Sequence, residues 1–182
     1  MASKRSGNEV EIVMTVPEPF GAPLATRFAV RTTLGVLTEL LASARQHVVI
    51  AAPFIQGAEG LHAGPLGMAL IAALKRGVRV DLISTGASLA GLDLRGLRDL
   101  AGTRFRTFQP RENIENPRIL GSHAKFCLCD DEHAYVGSAN ITQKGISGHL
   151  EMGVLLHGKS AERIAELARA LMESGYLLEC SP

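Results

Sequence analysis

Residues 121–142 read GSHAKFCLCDDEHAYVGSANIT, and the fold turns on how this stretch is parsed. SHAKFCLCD and HAYVGS each hold a short apolar run, and Asp130-Asp131-Glu132 stands between them. Two strands joined by a tight acidic turn are expected, that is, a β-hairpin. The polar residues do not suit a plain strand pair. Side chains two apart on an extended strand share a face, so His123 and Lys125 project together. Antiparallel pairing then folds Gly137-Ser138-Ala139-Asn140 back beside Ser122-His123-Ala124-Lys125. An imidazole, an ammonium, a hydroxyl and a carboxamide gather at one end of the hairpin. Glu151, near the start of the next strand, is placed to join them.

Outward from the hairpin, helices alternate with strands. EVEIVMTVP alternates and reads as a strand, and PEPFGAPLA breaks it with prolines and glycine. TTLGVLTELLASARQ sets Leu34, Leu37, Leu41 and Ala44 at helical spacing behind Thr32 or Thr33 as a cap. HVVIAAPF is an apolar run of strand length, as in a strand covered on both faces. GPLGMALIAALKRG places Leu66, Leu70, Ile71 and Leu74 on one helix face and stops at Gly77. VRVDLIST is a second buried strand, SLAGLDLRGLRDLAG a weaker helix interrupted by glycines, and RFRTF a short strand. QPRENIENPRILG reads as a polar loop. After the hairpin, LEMGVLLHG is a strand. SAERIAELARALMES is a helix facing inward with Ile164, Leu167, Ala168 and Leu171, capped by Ser160 and stopped by Gly175. The fold class this implies is α/β, a mixed β-sheet flanked by helices on both faces. Residues 1–8 read as a disordered tail and 9–182 as one domain.

Composition narrows the classes. The chain has 182 residues, 46% hydrophobic and 20% charged, a globular balance rather than a disordered one. A net charge of +1 neither demands nor forbids a nucleic-acid partner. No apolar stretch reaches the roughly 20 residues of a transmembrane helix, and the start lacks the apolar core of a signal peptide, so a cytoplasmic location is expected. Cys127, Cys129 and Cys180 form no disulfide framework, and Cys127-x-Cys129 has no second pair to complete a zinc site. The two are read as buried thiols. No glycine-rich phosphate loop follows the early strands. No cofactor and no metal are expected.

The hairpin set suits a phosphodiester. An imidazole can attack phosphorus and form a phosphohistidine. Lysine, serine and asparagine can donate to non-bridging oxygens as charge develops. A lone strand histidine or a lone Gly-Ser-x-Asn is ordinary, but the order H-x-K-x4-D-x6-G-S-x-N is specific. His123, Lys125, Asp130, Gly137, Ser138 and Asn140 resemble, in type, order and spacing, the HKD motif of the phospholipase D superfamily. The resemblance spans about residues 33–172. VMTVPEP followed by RTTLGVLTELLASARQHVVIAAPF is more weakly similar to phospholipase D-like proteins of DISARM-type antiphage systems.

The resemblance implies a metal-independent two-step phosphoryl transfer. It implies His123 as nucleophile in one subunit and acid/base in the other. It implies Lys125, Ser138 and Asn140 as phosphate-binding groups and Glu151 as the partner that orients His123. Asp130, at the tight turn, is read first as a cap that stabilises the hairpin, with direct catalysis as the alternative. Gly137 is read as allowing close backbone approach. Ser122 and Thr142 are candidates for added hydrogen bonds, and His149 shares the face of Glu151. His47, His62, His133, His149 and His157 lack a lysine two residues on, so one chain carries one motif. A homodimer with a composite site is therefore expected. The leading substrate is DNA or RNA, with Arg104, Arg106, Arg111 and Arg118 as candidates to track a backbone and phage defence as a setting. A lipid phosphodiesterase or phosphatidyltransferase is the alternative, as is a catalytically silent nucleic-acid-binding or assembly module within a larger defence complex. An exposed amphipathic face would favour lipid, and none stands out in the sequence.

Overall fold

The computed structural model describes residues 9–56, 61, 63–111 and 121–180. The expected tail at 1–8 and most of the loop at 109–121 lie outside these. Nine strands form one mixed sheet: β1 Val10–Thr15, β2 Arg31–Thr32, β3 His47–Ala51, β4 Arg79–Ile83, β5 Phe105–Pro110, β6 Phe126–Cys129, β7 His133–Gly137, β8 Glu151–His157 and β9 Leu177–Glu179. Their order is β2-β1-β8-β7-β6-β3-β4-β5-β9. Strands β3, β4 and β5 run parallel, and β6, β7 and β8 form an antiparallel meander beside β3. The hairpin is as read: Phe126 pairs with Val136 and Cys127 with Tyr135. Its first strand is shorter than expected, because Ser122–Lys125 precede the ladder and only the Lys125 carbonyl joins it, accepting from Gly137 N at 3.2 Å.

Helices α1 Gly21–Phe28, α2 Thr33–Ser43, α3 Gly64–Lys75, α4 Gly86–Ala90, α5 Arg95–Ala101 and α6 Lys159–Glu173 complete the described elements, with a 3-10 turn at Gly102–Arg104 and a π-helical turn at Lys144–Gly148. Alternation along the strands sorts their side chains between two cores. Val48, Ile50, Val80, Leu82, Cys127 and Tyr135 pack with Leu37, Leu41, Leu70 and Leu74 of α2 and α3. Val49, Ala51, Ile83, Leu128 and Ala134 pack with Ala161, Ala165 and Ala168 of α6 on the other face. Thr32 caps α2, its hydroxyl accepting from Gly35 N at 3.2 Å. Both cysteines are buried free thiols, as read. Burial pushes the Cys129 thiol up to about 11 and Cys127 higher still.

Three readings need correction, and one strand was not foreseen. PEPFGAPLA does break β1, but from Gly21 the chain forms α1, which buries no side chain. The segment after Gly175 forms β9, antiparallel to β5. Leu167 of α6 is 60% exposed, because the buried stripe is set by three alanines and Leu167 lies roughly 120° round the helix from them. Gly158, not Ser160, occupies the N-cap of α6.

Candidate active site

The hairpin ends and the start of β8 converge at one end of the sheet. His123 is exposed, whereas Lys125 is only 8% exposed and sits against it. Lys125 Nζ donates to the His123 carbonyl at 3.0 Å and lies 3.1 Å from Nδ1 and 3.5 Å from Nε2 of the ring. An ammonium donates only to an unprotonated ring nitrogen, the same kind of atom that attacks phosphorus. Burial lowers the Lys125 pKa, and the charge of Glu151 works against that shift.

Across the hairpin, Ser138 is locked to β8. Its N–H donates to the Met152 carbonyl at 2.9 Å, and its Oγ accepts from Met152 N at 3.1 Å and donates to Glu151 Oε2. Glu151 pairs in register with Thr15 at the end of β1. The carboxylate therefore engages Ser138 in this geometry, and its effect on Lys125 is through charge. Asn140 is brought to the same end. Its carboxamide oxygen is buried with no hydrogen-bond partner among the described residues. An orphaned buried polar atom calls for an explanation, and a ligand site supplies one.

Two glycines make this packing possible. A Cβ on Gly137 would lie 2.3 Å from the hydroxyl of buried Tyr135 and 2.9 Å from the Met152 carbonyl oxygen. A Cβ on Gly145, in the π-helical turn, would lie 2.4 Å from the Asn140 carbonyl oxygen. The turn thus packs directly on the Asn140 backbone. Thr142 Oγ1 accepts from Gly145 N of that turn at 3.0 Å, and His149, just after the turn, is exposed.

Asp130 is not brought to this end. It lies at the far end of β6 with φ +51°, and its carboxylate accepts from the backbone N–H groups of Arg45, Gln46 and His47 at 2.8, 2.8 and 2.9 Å. Burial alone would raise its pKa, but these three donors hold it below the usual carboxylate range. Arg104 and Arg106 are likewise absent from the rim. Arg104 donates to the Leu74 carbonyl at 3.1 Å. Arg106 grips buried Asp81 bidentately at 2.8 and 2.7 Å, while His47 Nε2 lies 2.8 Å from the same carboxylate. Arg111 donates to the Gly175 carbonyl at 3.2 Å, and Arg118 lies outside the described residues. Sequence reasoning missed Asp81, a lone acid in an apolar strand, and Tyr176, whose hydroxyl donates to the Gly121 carbonyl two residues before His123. Among the described residues no group of three or more His, Cys, Asp or Glu is placed to hold a metal, and no helix is long and apolar enough to cross a membrane.

A mixed sheet between helices, with this hairpin at one end, defines a phospholipase D-like domain. Residues 37–174 match the family described as "Cardiolipin synthase, PLD-like domain", so the chain belongs to that family within the phospholipase D superfamily. Members of the superfamily are phosphodiesterases or phosphatidyltransferases. Cardiolipin synthase B of Escherichia coli K12 is 34% identical over 123 residues, covering 66% of this chain and 27% of that protein. The chain thus spans about a quarter of that relative's length. DISARM protein DrmC of Bacillus paralicheniformis is 35% identical over 54 residues, 30% of this chain and 22% of DrmC. The crystal structure of Nuc, a phospholipase D family member from Salmonella typhimurium, superposes with a TM-score of 0.62 at 18% identity, covering 97% of this chain and all of Nuc, which shows a shared fold.

Proposed function

We propose that the chain is a nuclease that cleaves DNA or RNA phosphodiesters through a phosphohistidine on His123, in a site shared by two copies of the chain. One observation carries the chemistry: an exposed imidazole against a buried ammonium, with a carboxamide oxygen at the same sheet end that has no partner among the described residues. In this reading, His123 attacks phosphorus and the bond to the leaving oxygen breaks. Lys125, Ser138 and Asn140 hold the non-bridging oxygens. Glu151 holds Ser138 in place and reaches His123 through its field on Lys125. A second His123, from the partner copy, protonates the leaving oxygen and then activates water, which releases the phosphate. The dimer follows from a chain with one motif and a reaction that uses two imidazoles. Asp130 serves the hairpin, not the phosphate. Domain span 9–182 and a role in phage defence belong to the same proposal; similarity to DrmC supports the latter.

Nucleic acid as substrate draws its support from the fold that the chain shares with Nuc. A second reading, lipid, is favoured by α1. Phe20 at its N-cap, Leu24 and Phe28 recur every four residues, with Phe20 66% and Phe28 61% exposed. Such a stripe fits an interfacial anchor.

Purified protein assayed in EDTA with single- and double-stranded DNA, RNA and phosphatidyl lipids tests the proposal, alongside His123→Ala. Cleavage of nucleic acid that persists in EDTA and vanishes in the variant is expected. Cleavage of lipid alone supports the second reading. A requirement for added divalent metal, or activity surviving the substitution, contradicts the mechanism.

A further inference from the structure

At the end of β3 the chain passes the catalytic hairpin in an unusual state. Ala51 pairs with Phe126, the neighbour of Lys125, and Ile55 bridges to Ile141, the neighbour of Asn140. Residues 52–56 therefore run past Lys125 and Asn140, two of the three phosphate-binding candidates. The main chain on both sides of Phe54 is fastened. Ala52 N donates to the Ile83 carbonyl at 3.1 Å and Gln56 N to the Ile141 carbonyl at 3.1 Å. Ser84 Oγ donates to the Ala52 carbonyl at 2.7 Å, and Thr85 Oγ1 to the Pro53 carbonyl at 3.0 Å. Ser88 Oγ accepts from Ile55 N at 2.9 Å and donates to the Ile55 carbonyl at 3.2 Å. Ala52, Pro53 and Ile55 are buried, yet Phe54 between them is 44% exposed. A benzyl side chain held partly in water on a rigid backbone gives up burial that its neighbours obtain. Rigid aromatics of this kind make preorganised contacts.

We infer that Phe54 is a substrate-binding residue that stacks on a nucleobase next to the scissile phosphate of a single strand. The inference rests on the nuclease reading and names how that site gains affinity. Arg104 and Arg106, which could have tracked a backbone, are spent on Leu74 and Asp81. With those cations engaged inside the fold, stacking is a remaining source of affinity, and it is sequence-tolerant because every base has a π-face. A duplex hides those faces, so the geometry favours single strands. An acyl chain would be served by any apolar side chain, whereas a base is served by a ring.

The test compares Phe54→Trp, Phe54→Leu and wild-type protein on a single-stranded oligonucleotide, and on the same oligonucleotide with one abasic residue beside the scissile linkage. Thermal melting checks that each variant is folded. Phe54→Trp is expected to keep the wild-type KM. Phe54→Leu is expected to raise KM by about five- to hundredfold, with kcat little changed. The abasic site is expected to penalise wild-type protein and to leave Phe54→Leu nearly unaffected. A leucine variant matching wild type, or an abasic penalty equal in both proteins, overturns this inference and leaves the nuclease reading standing. Wild-type protein that neither cleaves nor binds the oligonucleotide, with or without activity on phosphatidylglycerol vesicles, overturns both.

Discussion

The strands that carry the catalytic candidates also carry polar residues toward their opposite ends, and the fold treats the two sets in contrary ways. Away from the site, the two buried or half-buried acids Asp81 and Asp130 are satisfied. Asp130 accepts three backbone N–H groups, and Asp81, with no exposed surface, is gripped by Arg106 and His47. At the site end His123 is exposed, the Asn140 carboxamide oxygen lacks a partner among the described residues, and Lys125 is buried with its pKa lowered by that burial. Similar residue types thus stabilise one end and stand ready for a ligand at the other. For these residues the difference lies in completed hydrogen bonding rather than in polarity.

The contrast can be broken most sharply at His123. His123→Ala is expected to cut cleavage by at least about 10⁴-fold while leaving the melting temperature unchanged. Asp81→Ala should do the reverse. Removing one member of a buried pair strands Arg106 and costs on the order of 3–5 kcal/mol in chemical denaturation, with activity per folded molecule retained. Gly137→Ala bridges the two ends, because its new methyl meets the Tyr135 hydroxyl. Overpacking of this kind costs about 1–3 kcal/mol and should also displace Ser138, lowering kcat. Asp130→Asn should cost about 1–2 kcal/mol by weakening three backbone bonds, without change in kcat.

The smallest effect concerns pH. His133 Nδ1 lies 2.8 Å from His157 Nδ1, and His157 Nε2 lies 2.7 Å from Glu11. Burial, then the neighbouring His157, lowers the His133 pKa below its ordinary 6.5. A histidine depressed in the native state takes up its proton more readily when unfolded. Its contribution to stability is therefore intact above about pH 6.5 and declines as pH falls toward the native value. His133→Gln should flatten that decline in a melting-temperature profile between about pH 7 and 5.

The parallel strands and their covering helices were legible because HVVIA and VRVDLI are apolar runs and Leu66, Leu70 and Leu74 recur at helical spacing. The hairpin was legible for a stronger reason: its pairing and its chemistry are encoded in one contiguous segment. What escaped depends on distant partners. Leu167 looked inward until the alanines of α6 defined the sheet-facing stripe. Arg106 looked free until β5 aligned it with Asp81. Phe54 looked like the tail of an apolar strand, and only the hydroxyls of Ser84, Thr85 and Ser88 reveal that the backbone there is fixed while the ring is not buried.

The central claim, a site built from His123 of two copies, is tested most directly by mixing. Wild-type protein is combined with an equal amount of His123→Ala, allowed to exchange subunits, and assayed on single-stranded DNA in EDTA. A composite site needs both imidazoles, so mixed dimers are inactive and activity should fall to about a quarter of that of the same total amount of wild type. Activity of about a half, in proportion to the wild-type share, would contradict the shared site and place the whole reaction within one chain.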